Sequence, residues 1–234
     1  MGCAVAGVIL RVMHYDPAHR PSILRHDPFK ALAAPRPIGW VATLDAQGRR
    51  NLAPYSFFNA VSDRPPMVMF ASSGRKDTLR NVEATGEFTC SLASWDLREA
   101  MNMSSAAVLP EVDEFMLAGL ESAASRFVAP PRVARAPAAF ECRLWKTLPL
   151  PAPEGRPEAG CTVVFGTVVG VYIDDAFVRE GRVDTGAMRP LARLGYMEYS
   201  AVTPESVFTM NRPMPSEDGS TATLEPGEWD GVYR

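Results

Sequence analysis

The chain has 234 residues, of which 47% are hydrophobic and 22% are charged, and its mean hydropathy is −0.06. This composition is ordinary for a globular protein and excludes a disordered chain, a collagen and a coiled coil. The net charge of −3 and the isoelectric point of about 5.7 indicate neither a nucleic acid nor an anionic membrane as a partner. A chain of this length forms one or two domains.

The N-terminal segment is apolar from Cys3 to Met13, but it is too short to cross a bilayer and lacks the features of a secretory signal. Met13 and the residues after it resemble the natural start of a protein. Translation is therefore expected to begin at Met13, and residues 1–12 are expected to come from an assigned gene start that is too early. Residues 1–20 are predicted to form an N-terminal arm. The four cysteines form no C-x-x-C pair, which fits a reducing cytoplasm, and no metal site is predicted.

The first regular elements are predicted to be β-strands. Two apolar runs, Ile38 to Leu44 and Asn51 to Asn59, flank a glycine-containing turn and predict an antiparallel hairpin with one strand on each side. After Pro65 and Pro66 the continuous apolar run from Met67 to Ala71 predicts a buried strand.

The middle of the chain changes to helical spacing. A short helix is predicted to be capped by Asp77 or Thr78 and to end at Gly86, which suits the left-handed position after a helix. The alternating segment Glu87 to Ala93 predicts a strand. Between Trp95 and Ala118 the spacing of apolar residues predicts two helical pieces.

The second half contains two long strand candidates, Ala139 to Leu148 and Thr162 to Asp174, separated by a proline-rich loop. A further short strand is predicted within Phe177 to Asp184, and the chain becomes polar and proline-rich from about Thr203. This order of elements predicts a mainly β protein, an antiparallel barrel with short helices. Residues 21–202 are expected to form the domain and residues 203–234 a C-terminal arm.

Standard catalytic motifs are absent from the sequence. There is no G-x-G-x-x-G, Walker A, H-E-x-x-H or G-x-S-x-G pattern. All three histidines lie in the N-terminal segment, at His14, His19 and His26, so a catalytic histidine in the main body is not expected. The sequence therefore predicts no catalytic side chain of its own, and a bound organic cofactor is the natural source of reactivity.

Two segments have the composition of a cofactor site. Ser72 to Thr78 combines hydroxyl groups, a glycine, two cations and a helix start, which are the groups that bind anions in proteins. An ordinary turn that caps a helix has the same composition. Asn51 to Asn59 places aromatic rings beside polar groups. Such rings usually pack into the core, but they also suit a planar heterocycle with polar edges.

Together these segments resemble the flavin-reductase-like FMN-binding split-barrel family, in particular its longer members, which include the reductase component of nitrilotriacetate monooxygenase. The resemblance covers about residues 14 to 200, with motifs in the expected order. The motifs that carry it are Arg36–Thr43, Asn51–Asn59, Lys76–Thr78 with Asn81, Met101–Ser104, Val112–Phe115, Pro130–Val133 and Ala192–Gly195.

The resemblance implies a six-stranded antiparallel split barrel that binds FMN and forms a homodimer with FMN near the interface. It implies that Ser72, Lys76 and Thr78 hold the phosphate, with Asp77 at the helix start. Asn102 and Ser104 would approach the flavin from another side or from the partner subunit. The isoalloxazine ring and ribityl chain would be lined by Tyr55, Ser56, Phe57, Phe58 and Asn59.

The activity implied is that of a cytoplasmic NAD(P)H-dependent flavin reductase. Bound FMN would pass electrons from a transient NADH or NADPH to free flavin, to oxygen or to a partner oxygenase. Two alternatives remain open: a flavoprotein oxygenase acting directly on a small organic substrate, and a non-catalytic FMN carrier or sensor. The segment from Arg193 to Tyr196 departs from the Gly-Gly expected there, and Tyr196 would narrow access to the flavin.

Overall fold

The computed structural model describes residues 13–224 together with residues 227, 229 and 231. The predicted N-terminal extension, residues 1–12, therefore lies outside the described residues. Within the described part of the chain, five α-helices are present: α1 (Phe29–Leu32), α2 (Asp77–Thr85), α3 (Arg98–Met103), α4 (Glu114–Leu117) and α5 (Thr185–Met188). The strands of the main sheet are β1 (Gly39–Leu44), β2 (Arg50–Tyr55), β3 (Phe58–Asp63), β4 (Pro66–Ser73), β5 (Glu87–Leu92), β6 (Ala138–Pro149) and β7 (Cys161–Ile173).

The main sheet has the strand order β2-β1-β5-β6-β7-β4-β3, and all neighbouring strands are antiparallel. β2 and β3 lie at opposite edges of this order, yet only Ser56 and Phe57 connect them. The three Cα–Cα steps from Tyr55 to Phe58 span at most about 11 Å, so the two edges must meet at this corner. The Phe57 carbonyl also accepts a hydrogen bond from the Ala71 amide of β4, at 2.9 Å. The sheet therefore curls into the predicted antiparallel barrel.

The prediction of one strand over Asn51 to Asn59 is wrong, which makes seven barrel strands rather than six. The chain leaves β2 after Tyr55 and enters β3 at Phe58, because the barrel closes between them. Gly39 on β1 permits this corner. A β-carbon built there would lie 2.4 Å from Cδ2 of Phe58, so a larger residue would displace the ring.

Two hydrophobic clusters lie on either side of β1. Val41 faces the barrel interior, whereas Trp40 and Ala42 face the outer layer beneath the short helices. Because side chains alternate along a strand, burial of both faces makes β1 a continuous apolar run. The interior cluster consists of Val41, Tyr55, Val68, Phe70, Leu79, Val82, Phe88, Cys90, Cys142 and Val164.

Helix α2 begins at Asp77, so its N-cap lies one residue before the first of the two predicted caps. Lys76 occupies the N-cap position, and its side chain makes no capping hydrogen bond. Neither Asp77 nor Thr78 is the cap, because both already lie within the first turn. Gly86 ends the helix with φ of 74°, a conformation that favours glycine, as predicted.

The remaining predicted elements are largely present. β5, β6 and β7 match their predicted strands within one or two residues. The predicted strand within Phe177 to Asp184 is instead a small hairpin, Val178–Arg179 paired with Arg182–Val183. Between residues 203 and 224 the chain contains a 3₁₀ turn at Pro204–Ser206 and a two-residue ribbon, Met214–Pro215 with Ala222–Thr223. The other 3₁₀ turns are Pro17–His19, Trp95–Leu97, Pro157–Ala159 and Asp175–Phe177, and a further two-residue ribbon pairs Ser122–Ala123 with Arg132–Val133.

A second, three-stranded sheet and helix α1 are held together by Arg36. The strand Arg36–Pro37 pairs with Leu191–Arg193, which pairs with Tyr199–Ala201. The buried Arg36 guanidinium donates to the carbonyls of Ala33 at 2.6 Å, Leu194 at 2.7 Å and Lys30. Helix α1 is thereby fixed beside the corner between β2 and β3.

Candidate functional site

A cleft of about 600 Å³ lies between β2, the start of α2 and the segment after α3. Its floor is the end of β2 and the corner that follows. One wall is the N-terminal turn of α2, and the other is a run of small residues between α3 and α4. The lining residues are Lys30, Asn51, Ala53, Pro54, Tyr55, Ser56, Phe57, Ala71, Ser73, Lys76, Asp77, Thr78, Arg80, Ser104, Ser105, Ala106, Ala107, Val108, Pro110 and Glu114.

The start of α2 gives one part of this cleft a positive character. The first amides of a helix have no partner within the helix, and here no side chain caps them. Lys76 lies at this point and forms no ion pair with a carboxylate of the described residues. The Asp77 carboxylate, which would repel an anion, is paired with Arg80. This turn is therefore suited to bind an anion such as a phosphate group.

A buried network of amide and hydroxyl groups fixes the position of α2 on the barrel. Asn51 Nδ2 donates to Thr78 Oγ1 at 2.9 Å and to Thr43 Oγ1 at 3.3 Å. Asn81 Nδ2 also donates to Thr43 Oγ1, at 3.0 Å. The helix start is thus connected to β1 and β2 through side chains far apart in the sequence.

Tyr55 lies at the floor of the cleft with its ring packed on Phe70, at a centroid distance of 4.8 Å. Its hydroxyl is buried beside the side chains of Thr78 and Ser72 and makes no hydrogen bond of normal geometry. Burial raises the pKa of this phenol, and the neighbouring hydroxyls of Thr78 and Ser72 oppose the shift only in part. The phenol is therefore a buried polar group whose loss of hydration is not made up by a hydrogen bond of normal geometry among the described residues.

Lys30 and Phe57 contribute a cation and an aromatic ring to the cleft. The Lys30 ammonium lies 6.0 Å from the centroid of the Phe57 ring, and the Arg36 guanidinium lies 5.9 Å from it. Sequence reasoning missed Lys30 because helix α1 lies beside the corner through tertiary contacts, which include the hydrogen bonds that Arg36 donates to the Lys30 and Leu194 carbonyls. The feature of the sequence that could have pointed to Lys30 is the rarity of lysine, since the chain has only Lys30, Lys76 and Lys146.

The opposite wall is anchored by the fully buried Trp40. Its indole Nε1 donates to Ser104 Oγ at 2.9 Å, and Ser104 Oγ donates to the Met101 carbonyl at 2.8 Å. Ser104 lines the cleft, as the resemblance implies for a residue near the flavin, whereas Asn102 does not. The wall is therefore held in place from within the outer hydrophobic cluster.

Glu114 is a cleft residue to which sequence reasoning gave no role in the site, although it lies within the motif Val112–Phe115. Asp113 caps α4 by accepting from the Phe115 amide at 2.9 Å, and Glu114 turns back to accept from the Leu52 amide at 3.0 Å. The residue lines the cleft and is 8% exposed. Burial raises the pKa of this carboxyl above its ordinary value, and the nearby Asp77 adds to the shift.

The family model described as the flavin reductase like domain matches residues 32–192. The chain belongs to the flavin reductase-like family. A protein of Aquifex aeolicus, itself uncharacterized, is 38% identical over 174 residues, which cover 72% of this chain and 85% of the relative. The resemblance identified from the motifs is thereby confirmed.

Two solved structures are similar to this flavin reductase-like protein. Nitrilotriacetate monooxygenase component B from Bacillus cereus has a TM-score of 0.75 and 27% identity, covering 82% of this chain and 96% of that one. The 2-nitrobenzoate 2-nitroreductase of Pseudomonas fluorescens has a TM-score of 0.74 and 26% identity, covering 88% and 100%. These findings confirm the split-barrel fold and place the protein among flavin-related oxidoreductases with a flavin cofactor. No helix in the described ranges is long and apolar enough to cross a membrane.

The predicted site residues of this flavin reductase-like protein fall into two groups. Ser72 is buried behind the cleft, and its Oγ donates to the Gly74 carbonyl at 3.1 Å. The ring of Phe58 covers Gly39, and Asn59 is exposed on β3, where its Oδ1 accepts from the Ala60 amide. The cleft brings together the other six, Tyr55, Ser56, Phe57, Lys76, Asp77 and Thr78.

The raised pKa of Glu114 leads us to expect that the free energy of unfolding of the flavin reductase-like protein depends on pH. Its pKa is raised above 4.5 in the folded state, so the folded protein binds more protons than the unfolded chain as the pH rises above that value. The ionisation of Glu114 thus removes stability with increasing pH. Urea unfolding from pH 4 to 8 is expected to show wild type losing free energy of unfolding relative to Glu114→Gln. A difference that is constant or rises with pH would contradict this assignment.

Proposed function

We propose that this protein is an NAD(P)H-dependent flavin reductase that holds FMN in the cleft. The observation that carries the proposal is the start of α2, which no side chain of the N-cap residue caps and which opens on a cleft floored by Tyr55 to Phe57. Lys76 lies beside it and has no ion pair among the described residues. Anion-binding and aromatic groups thus share one cavity. Its volume lies within the range of about 300–1,000 Å³ that is usual for small-molecule and cofactor sites.

The donor set at the start of α2 fits a phosphate group. Lys76 and the first-turn amides supply positive charge and N–H donors, and Thr78 supplies a hydroxyl. We assign the phosphate of FMN to these groups. Ser72 supports the turn from behind through Gly74, and Asp77 is kept from opposing the phosphate by its pairing with Arg80.

We assign the isoalloxazine ring and the ribityl chain to Tyr55, Ser56 and Phe57. These residues form the floor of the cleft, where Ser56 supplies a hydroxyl group and Phe57 an aromatic ring. We assign Phe58 and Asn59 an indirect role in flavin binding. They begin strand β3 and fix the position of its backbone where it leaves the corner.

Bound FMN would supply the redox chemistry, accepting a hydride from the reduced nicotinamide and releasing electrons to an acceptor. The protein's part is to bind and orient the reactants. The main body contains no histidine, and none is required for this role. NADH or NADPH is proposed to bind transiently on the flavin face, since the sequence has no dinucleotide-binding motif.

Two acceptors are supported by the similar proteins. Likeness to a component of nitrilotriacetate monooxygenase supports transfer of reduced flavin to a partner oxygenase. Likeness to a nitroreductase supports direct reduction of a small organic substrate as the second candidate function. The resemblance also supports a homodimer with FMN near its interface. We propose residues 21–202 as the FMN-binding domain, which contains the whole family match, and residues 203–234 as an arm.

The deciding experiment is anaerobic reduction of the FMN-loaded protein. Addition of NADH or NADPH is expected to bleach the visible flavin absorbance within seconds to minutes, and free flavin is expected to re-oxidise it. Absence of bleaching with either nucleotide would contradict the reductase and favour a carrier. Re-oxidation by an added nitroaromatic, with its stoichiometric consumption, would favour the second candidate. A protein that binds no FMN would remove the whole proposal.

A further inference from the structure

The Glu114 carboxylate has an unusual position for an acidic side chain. It is nearly buried, yet it lines the cleft proposed to bind flavin. No lysine or arginine of the described residues forms an ion pair with it, and Arg50 is paired with the adjacent Asp113 instead. Among these residues Leu52 is the one other residue that donates a hydrogen bond to the carboxylate, and it reaches Oε2. The backbone amide of Glu114 itself also interacts with the carboxylate, but an ionised carboxylate has about four lone-pair positions and can therefore accept further hydrogen bonds.

The titratable and charged side chains around Glu114 in the described part of the chain form no hydrogen bond with its carboxylate. Asp77 from α2 and Asp113 from α4 are themselves acidic and disfavour its ionisation. The Tyr55 phenol of β2 is close enough to interact electrostatically with Glu114, but it forms no hydrogen bond to it. Arg50 of β2 lies with its guanidinium 5.5 Å from the ring centroid of Phe115 and neutralises Asp113.

We propose that Glu114 accepts a hydrogen bond from an N–H or O–H donor in the non-phosphate half of the flavin. That half carries the ring imide and the ribityl hydroxyl groups, whereas the phosphate carries only acceptors when ionised. The inference rests on the proposed function, because it requires flavin in the cleft. It extends that function by giving the cleft a second recognition element, separate from the cationic turn at α2. Lys76 selects for the phosphate, and Glu114 selects for the riboflavin moiety.

The physical reason is the cost of a partly desolvated carboxylate without a full set of donors. A donor supplied by the ligand restores one hydrogen bond to a charged acceptor, which is stronger than a neutral one. Glu114→Gln keeps the shape and offers its carbonyl to the Leu52 amide, but it presents an NH₂ donor to the cleft in place of an acceptor. Loss of this bond is expected to weaken binding by on the order of tenfold or more.

The experiment measures dissociation constants for oxidised FMN and for riboflavin by flavin fluorescence, without any nicotinamide. The proteins are wild type, Glu114→Gln, Lys76→Ala and the control Glu111→Gln, in which the neighbouring carboxylate with a side chain 68% exposed is changed. Glu114→Gln is expected to weaken FMN and riboflavin by the same factor. Lys76→Ala is expected to weaken FMN alone, and Glu111→Gln neither. Circular dichroism and the thermal midpoint show whether each variant is folded.

Two further readouts separate a contact from a merely structural role. Riboflavin affinity of wild type is expected to rise with pH as Glu114 ionises, and affinity of Glu114→Gln to stay flat. Lumiflavin, which lacks the ribityl hydroxyls, assigns the donor: a retained effect of Glu114→Gln supports the ring imide, and a lost effect supports the ribityl chain.

The inference is overturned if folded Glu114→Gln binds riboflavin as wild type does, or if it weakens FMN alone. In those cases the sensitivity of FMN to Lys76→Ala would still uphold the proposed function. Failure of wild type to bind any flavin would instead overturn both, so the two failures are distinguishable.

Discussion

Lys76→Ala is expected to weaken FMN binding by about 1–3 kcal/mol, the contribution of a hydrogen bond to a charged group. The reason is local, because Lys76 lies at the uncapped start of α2 and no carboxylate in the described part of the chain competes for its ammonium. Titration of the apoprotein with FMN, followed by fluorescence quenching, gives the dissociation constants to compare. The loss should shrink as salt is added, since the interaction is between charges.

The matched control for this substitution is Lys146→Ala. Lys146 is the lysine of β6, it is exposed, and it does not line the cleft. This variant removes the same charge and the same side chain elsewhere on the surface, so it is expected to bind FMN as wild type does. Equal FMN affinity in Lys76→Ala and Lys146→Ala would remove Lys76 from the phosphate site.

Trp40→Ala is expected to lower the free energy of unfolding by about 3–5 kcal/mol, the usual cost of truncating a large buried aromatic residue. Trp40 is fully buried between β1 and the outer helices, and its indole N–H holds Ser104 at the wall of the cleft. Urea unfolding monitored by far-ultraviolet circular dichroism measures the loss. This is the largest stability effect that we predict.

Trp40→Phe separates the packing of the ring from its hydrogen bond. Phenylalanine fills much of the same space but cannot donate to Ser104, whose hydroxyl still donates to the Met101 carbonyl. A smaller loss of stability is therefore expected than for alanine. A Trp40→Ala protein with wild-type unfolding free energy would show that the outer cluster does not depend on this side chain.

Local patterns in the sequence predicted most of the barrel. The alternation of Phe88 and Cys90 predicts a strand because side chains repeat every two residues along it. The continuous apolar run through Val41 predicts a strand that is buried on both faces. Gly86 predicts the end of α2 because its backbone angle requires glycine. The division of Asn51 to Asn59 into β2 and β3 was not predictable in this way, because no breaking residue marks the corner. The division follows from closure of the sheet.

The candidate site was predictable where its residues are neighbours in the chain. Lys76, Asp77 and Thr78 form one turn, and Tyr55, Ser56 and Phe57 form one corner, so a single motif identifies each group. Lys30 and Glu114 were not assigned to the site, since the position of each depends on long-range hydrogen bonds. Arg36, which holds helix α1, donates to the Leu194 carbonyl, and the Glu114 carboxylate accepts from the Leu52 amide. Such contacts carry no local signature.

The three histidines lie in the N-terminal segment, and none of them lines the cleft. By itself the sequence determined the mainly β fold class, the family, and a chemistry that needs no histidine in the main body. Only the tertiary structure decided which cations surround the cleft, which carboxylate lies in it and which predicted residues support it from behind. The physical reason is that strand and turn preferences are local, whereas barrel closure brings together side chains separated by dozens of residues.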